Sequence, residues 1–226
     1  MTALFIGRPG TGKTMAAECI AGSLGLPLYH VNLSQILDKY IGETEKKLDK
    51  IFEYAQVSNV LLFFDEADAL FGKRSEVKDA RDKYANAEVS YILARVERFS
   101  GAAILATNLM ENIDEAFMRR MRFVVNFPIP DKAIRAEIWR SSFPEATPTE
   151  DLDIDYIADK CELAGGHIKN IVIKSVFLAA ARKRKVTMLD IMESIRDEYN
   201  KLGKNINISE FFPEYAHYVK QHSIFK

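Results

Sequence analysis

The run Gly7-Arg8-Pro9-Gly10-Thr11-Gly12-Lys13-Thr14-Met15 carries the residue types needed to hold a polyphosphate. It fits G-x-x-x-x-G-K-[ST] at each fixed position, after the apolar run Ala3 to Ile6 and before a segment of helical pattern. Glycines let the backbone close around phosphate oxygens with N–H groups pointing inward, and the helix that follows adds the positive end of its dipole. In this pattern Lys13 reaches the β- and γ-phosphates, and the Thr14 hydroxyl ligates Mg2+. A second group, Asp65-Glu66, closes the apolar run Val60 to Phe64. Asp65 would hold the Mg2+ through its water shell, and Glu66 would orient and polarise an attacking water. Asn108, after Ala106-Thr107, supplies a neutral amide that can hydrogen-bond both a γ-phosphate and the lytic water. Alone, the acidic pair reads as a solvated turn or helix cap, and the asparagine as a turn residue. In this order behind a phosphate loop, they read as nucleotide-hydrolysing machinery.

Such residues need a sheet edge to converge on. Short apolar runs at Ala3 to Ile6, Pro27 to Val31, Val60 to Phe64, Ala102 to Ala106 and Phe123 to Phe127 alternate with segments of helical period, such as Leu48, Ile51, Phe52 and Ala55. That alternation predicts an α/β fold with five parallel strands, doubly wound by helices. Strand signals stop at Phe127-Pro-Ile-Pro130, where two closely spaced prolines forbid ladder pairing. The expected organisation is an α/β domain over 1–129, a small helical domain over 130–203 and an aromatic-rich helical tail over 204–226. Helices are expected to start near Asp131, Asp153, Gly166 and Met188, with Ile168, Ile171, Val172, Ser175, Val176 and Ala179 as one buried stripe. Ser209 to Phe225 is expected to form one more helix.

The 226 residues are 48% hydrophobic and 28% charged, the mixture of a globular chain able to bury a core. With 31 basic and 32 acidic side chains and a formal net charge of −1, no global field draws the chain to nucleic acid or anionic lipid. Cys19 and Cys161 lack metal-ligand spacing and sit in apolar helical patterns, so buried thiols in a reducing compartment are expected. No apolar run approaches the roughly 18 residues of a membrane span, and no signal peptide is legible, so the expectation is a cytoplasmic protein without a membrane partner.

Gly7 to Thr14, Leu62 to Asp68, Ile104 to Asn108 and Ile113-Asp-Glu-Ala-Phe-Met-Arg119-Arg120-Met-Arg122-Phe123 together resemble an AAA+ ATPase module, and the match runs over nearly the whole chain. The resemblance implies a P-loop NTPase with strand order 5-1-4-3-2 and a small C-terminal helical lid, ATP and Mg2+ as ligands, and a hexameric homo-oligomeric ring. In that family the Asn108 position is called sensor 1, and arginines at the end of the large domain complete the neighbouring subunit's site. Arg119, Arg120 and Arg122 are therefore candidates for neutralising phosphoryl charge in trans; the alternative is a solvated basic helix end. Gly165, Gly166, His167 and Lys169 resemble the start of the sensor 2 helix, with the glycines admitting backbone close to the adenosine and His167 or Lys169 near the base or phosphates. Helix capping is the other reading of those glycines.

Lys39-Tyr40-Ile41-Gly42-Glu43 resembles the aromatic pore loop of protein-remodelling rings, in which Tyr40 and Ile41, beside Gly42, would grip an extended protein chain. The charged stretch Lys73 to Asn86 is either a second pore loop or a solvated linker. The wording Asp-Glu-Ala-Asp-Ala-Leu-Phe-Gly-Lys-Arg resembles bacterial AAA proteins that accompany contractile injection systems. Two other functions compete with protein remodelling. Asp65-Glu66-Ala67-Asp68 spells a helicase motif, but helicases of that type use two motor domains, and a net charge of −1 argues against tracking along nucleic acid. A nucleotide-binding scaffold that does not hydrolyse is disfavoured by Glu66, Asn108 and the arginines. Family modules carry a segment ahead of the first strand that helps enclose adenine, whereas β-structure is expected here almost from Met1. Weak nucleotide affinity and poor ring assembly are therefore expected of the isolated chain.

Overall fold

The computed structural model describes residues 1–33, 43–68, 90–108 and 118–217. The chain divides into two compact units, Met1–Pro128 and Ile129–Lys226. The first contains β1 (Thr2–Gly7), α1 (Lys13–Leu24), β2 (Leu28–Asn32), α2 (Glu43–Ser58), β3 (Leu61–Asp65), the helical stretch α3 over 90–98, β4 (Ala102–Thr107) and β5 (Phe123–Phe127). The strands form one parallel sheet in the order β2-β3-β4-β1-β5, the expected order read from its other edge.

The central strands are apolar throughout because helices cover both faces of the sheet. Their side chains alternate between two cores. Leu4, Ile6, Leu62, Phe64 and Leu105 pack with Leu48, Phe52 and Ala55 of α2 and with Ile92 and Val96 of α3. Ala3, Phe5, Leu61, Phe63, Ile104 and Ala106 face the other way, onto Ala17 and Ala21 of α1. The register aligns Ile6 with Thr107 and Phe64 with Leu105, so β1, β3 and β4 all end at one sheet edge. Gly7, Asp65 and Thr107 therefore meet there although they are far apart in sequence.

Two strands start one residue later than expected. β2 begins at Leu28 because Pro27 has no N–H to give the ladder, although its carbonyl still accepts from Leu61 N at 2.9 Å. Cys19 is not buried: α1 turns Lys13, Ala17 and Ala21 inward, which leaves Cys19, two residues off that stripe, exposed. Both thiols are free, and only Cys161 is buried.

The second unit contains α4 (Lys132–Ser142), α5 (Ile154–Lys160), α6 (Gly165–Ala181), α7 (Met188–Lys201) and a short α8 (Ile208–Phe211). Asp131 and Asp153 cap α4 and α5 by accepting from Ile134 N and Tyr156 N. The α6 stripe Ile168, Ile171, Val172, Ser175 and Ala179 is buried, with Val176 partly so, in a core centred on Trp139, Ile157, Ile191 and Ile195. Over 209–217, the described part of the expected tail helix, the helix is not continuous, and 218–225 lie outside the described residues. α8 is four residues long and gives way to a 3-10 turn at Pro213–Tyr215, because proline cannot continue the ladder. Ile208 and Phe212 anchor this segment in the same core. Among the described residues, no helix is long and apolar enough to cross a membrane.

Candidate nucleotide site

The loop between β1 and α1 is built by two glycines. Gly10 and Gly12 take φ values of 77° and 103°, in the left-handed region that side-chain-bearing residues avoid. Gly12 is also the N-cap of α1, where its carbonyl accepts from Ala16 N at 2.9 Å. Thr11 steadies the loop, its hydroxyl donating to Arg8 O at 2.8 Å. Arg8, Pro9 and Gly10 are exposed, Thr14 is half-buried on the first turn of α1, and Met15 lies on the outer face. The loop leads directly into the N-terminus of α1, the arrangement that receives a phosphate.

Lys13 is only 7% exposed, and its ammonium is held at the sheet edge. Nζ donates to Gly7 O at 2.6 Å, to Arg8 O at 3.1 Å and to Asn108 Oδ1 at 2.8 Å. Burial lowers its pKa, while the negative charges of Asp65 and Asp68 oppose that shift. Asp65 ends β3 and accepts from Glu66 N at 2.9 Å. Glu66 follows with φ of 53° and an exposed side chain. The three elements selected from sequence thus converge on one edge.

Asp68 is the residue that motif reasoning passed over. Its carboxylate accepts from the Thr107 hydroxyl, from Asn108 N at 2.7 Å and from Asn108 Nδ2 at 3.3 Å. The turn that carries it is tied to β4 by Ala67 N donating to Ala106 O at 2.9 Å. The available signal was an acid three residues beyond Asp65 in one chain segment and a hydroxyl before Asn108 in another. Only the β3–β4 pairing puts them together.

Residues 3–131 match the family model described as "ATPase family associated with various cellular activities (AAA)". The chain belongs to the AAA family of ATPases. This AAA chain is 28% identical over 222 residues to a proteasome-activating nucleotidase of Saccharolobus solfataricus, covering 94% of this chain and 56% of that protein. It is 30% identical over 200 residues to the 26S proteasome regulatory subunit 4 homolog B of Arabidopsis thaliana, covering 84% of this chain and 45% of that protein. The AAA chain thus spans about half the length of the curated relatives it matches. Family membership implies nucleotide binding.

The donor set of the AAA site suits Mg2+. The Thr14 hydroxyl and the Asp65 carboxylate are hard oxygen donors, and this ion uses one or two protein ligands alongside water and phosphate oxygens. No cluster of three or more His, Cys, Asp or Glu forms a closed metal cage among the described residues. Arg119, Arg120 and Arg122 lie exposed between Met118 and β5, and Arg120 approaches Glu97 at 3.6 Å with both side chains half in solvent. In the second unit Gly165 and Gly166 begin α6, Lys169 is exposed, and His167 Nδ1 meets Glu198 Oε1 at 2.8 Å. Tyr40, Ile41 and Gly42 lie outside the described residues, as do Lys73 to Asn86 and Ile113 to Phe117.

Proposed function

We propose that this AAA chain binds ATP with Mg2+ and hydrolyses it to drive the unfolding or remodelling of a protein substrate, as one subunit of a hexameric ring in the cytoplasm. The observation that carries the ATPase part is the 2.8 Å contact between Lys13 Nζ and Asn108 Oδ1, which joins the phosphate loop to the end of β4. Backbone N–H groups from Gly7 to Gly12, together with the N-terminal turn of α1 at Thr14 and Met15, cradle the phosphates. Lys13 neutralises the β- and γ-phosphates, while Thr14 and Asp65 would hold Mg2+, whose charge would offset that of the phosphates. Glu66 accepts a proton from the attacking water as its oxygen bonds to the γ-phosphorus and the bond to the β-phosphate oxygen breaks, yielding ADP and phosphate. Asn108 orients that water and the γ-phosphate through its amide.

In this reading 1–129 is the motor domain, 130–203 the lid and 204–226 a tail. Gly165, Gly166, His167 and Lys169 of the lid approach the nucleotide. One or more of Arg119, Arg120 and Arg122, all three exposed at the surface of the first unit, enters the neighbouring subunit's site. Tyr40 and Ile41, beside Gly42, grip the substrate chain in the pore. The two relatives are named for the proteasome, which supports a protein substrate and carries more weight than the injection-system wording of the acidic motif.

Phosphate release by the intact chain with Mg-ATP tests the proposal. Glu66→Gln should lower turnover by about 10²-fold or more, the usual contribution of a positioned base. Turnover per molecule should rise with protein concentration and fall in the alanine variants of the three arginines. Equal turnover by Glu66→Gln and the unmodified chain refutes the hydrolytic reading; concentration-independent turnover with fully active arginine variants refutes the ring.

A further inference from the structure

The geometry points to Asp68 as the positioning residue that orients the Asn108 amide, so that one N–H of Asn108 stays available to a γ-phosphate while its oxygen faces Lys13. The inference rests on the nucleotide reading above and adds a residue that the motif roles leave without a task.

An asparagine amide has an oxygen end and an NH2 end of nearly equal shape, so its hydrogen-bond partners alone decide which end points where. Two groups make that decision at Asn108. Lys13 Nζ can only donate and takes Oδ1 at 2.8 Å; the Asp68 carboxylate can only accept and takes Nδ2 at 3.3 Å. Nδ2 has two hydrogens, and Asp68 takes one of them. The other remains for a phosphate oxygen.

The two anchors differ in permanence. Lys13 is the group a bound triphosphate attracts, so its hold on Oδ1 weakens when the amide's orientation matters most. Asp68 is fastened independently of nucleotide, by the Thr107 hydroxyl and by Asn108 N at 2.7 Å. Thr107 is fully buried, and Asp68 lies three residues beyond Asp65 on the turn bound to β4 through Ala67 N and Ala106 O. A displacement of Asn108 toward phosphate therefore pulls directly on the segment that carries Asp65 and Glu66. Asp68 couples sensing at β4 to the acids at the end of β3.

Asp68→Asn tests this, because it keeps the shape and reverses the hydrogen-bond code. An NH2 group at the Oδ2 position would face the NH2 of Asn108, and relieving that clash flips Asn108 and turns its donors toward Lys13. The primary measurement is the affinity ratio for a non-hydrolysable ATP analogue over ADP, which needs no turnover. Asp68→Asn should lower that ratio by about tenfold, the effect of losing one hydrogen bond to a charged group, with ADP affinity nearly unchanged. In an Asn108→Ala background the same substitution should have no further effect, because both changes remove one interaction. In the hydrolysis assay the loss should fall on kcat more than on KM. Thr107→Val, which removes one anchor of Asp68, should give a smaller loss in the same direction that Thr107→Ser restores, and it replaces Asp68→Asn if that variant melts early.

An unchanged analogue-to-ADP ratio in a folded Asp68→Asn, or an equal loss with and without the Asn108 side chain, overturns the inference. A chain that discriminates analogue from ADP through Asp68 but releases no phosphate refutes hydrolysis and keeps the inference. A chain that binds neither nucleotide refutes both.

Discussion

Gly7→Ala is expected to destabilise the first unit because β1 and β5 meet there too closely for a side chain. A Cβ at Gly7 would lie 2.4 Å from the Phe127 carbonyl oxygen and 2.8 Å from Phe127 Cβ, so the β5 backbone must retreat by about 1 Å to reach ordinary contact at 3.4 Å. Gly7 and Phe127 are register partners, which means that the retreat strains the β1–β5 ladder directly. β5 is an edge strand and can yield, so the cost belongs to the overpacking range of about 1–3 kcal/mol, and we expect roughly 2 kcal/mol. With a urea dependence of about 1–3 kcal/mol per molar, the midpoint should fall by about 1 M with an unchanged slope. Far-UV circular dichroism follows this transition, while fluorescence of Trp139, the sole tryptophan and part of the second core, serves as the internal reference. Gly22→Ala is the matched control. Nothing lies within 4 Å of a Cβ there, and the helical site should gain about 0.5–1 kcal/mol. A Gly7→Ala midpoint equal to that of the unmodified chain would refute the close-approach argument.

Two further outcomes concern the second unit. Asp190 is fully buried, accepts from Arg182, Arg184 and Thr187 N, and ties α7 to the end of α6. Asp190→Asn should lower stability by about 2 kcal/mol, less than for a fully buried pair because both arginines are about a third exposed and can turn to water; a Trp139 transition within experimental error of the unmodified chain's contradicts this. Burial raises the carboxyls of Asp190, Asp197 and Glu198, but hydrogen bonds from Arg184, Lys174 and Lys201 among others outweigh it and hold all three below their ordinary values. Carboxyls depressed in the folded state bind fewer protons than in the unfolded chain, so their contribution is complete above the unfolded value and is lost as pH falls through the folded one. Stability read at Trp139 should therefore be flat between pH 6 and 7 and decline once pH drops below about 4; a decline complete by pH 6 would exclude these groups as the cause.

The parts of the site that were legible in sequence are those whose function depends on neighbours along the chain. Gly10, Gly12, Lys13 and Thr14 belong to one turn, and Asp65 and Glu66 to one strand end, so residue type and spacing specify them. Cys19 is exposed against expectation because α1 carries small or apolar residues on most sides, so periodicity does not say which face turns inward. Composition makes the aromatic tail look helical throughout, whereas Pro213 interrupts the helical ladder within its described part.

The amino-acid order alone determined that strands and helices alternate up to Phe127, that helices follow, and that a phosphate loop sits between β1 and α1. Those are local properties: side-chain period, turn chemistry and helix capping act over a few residues. The tertiary structure decided that Lys13 touches Asn108, 95 positions away, and that Asp68 holds the end of β4. Hydrophobic pattern says which side of a strand is buried but is silent on which strand lies beside it. Only the parallel ladder of β3, β4 and β1 supplies that, because its hydrogen bonds join backbone groups that no sequence window contains together.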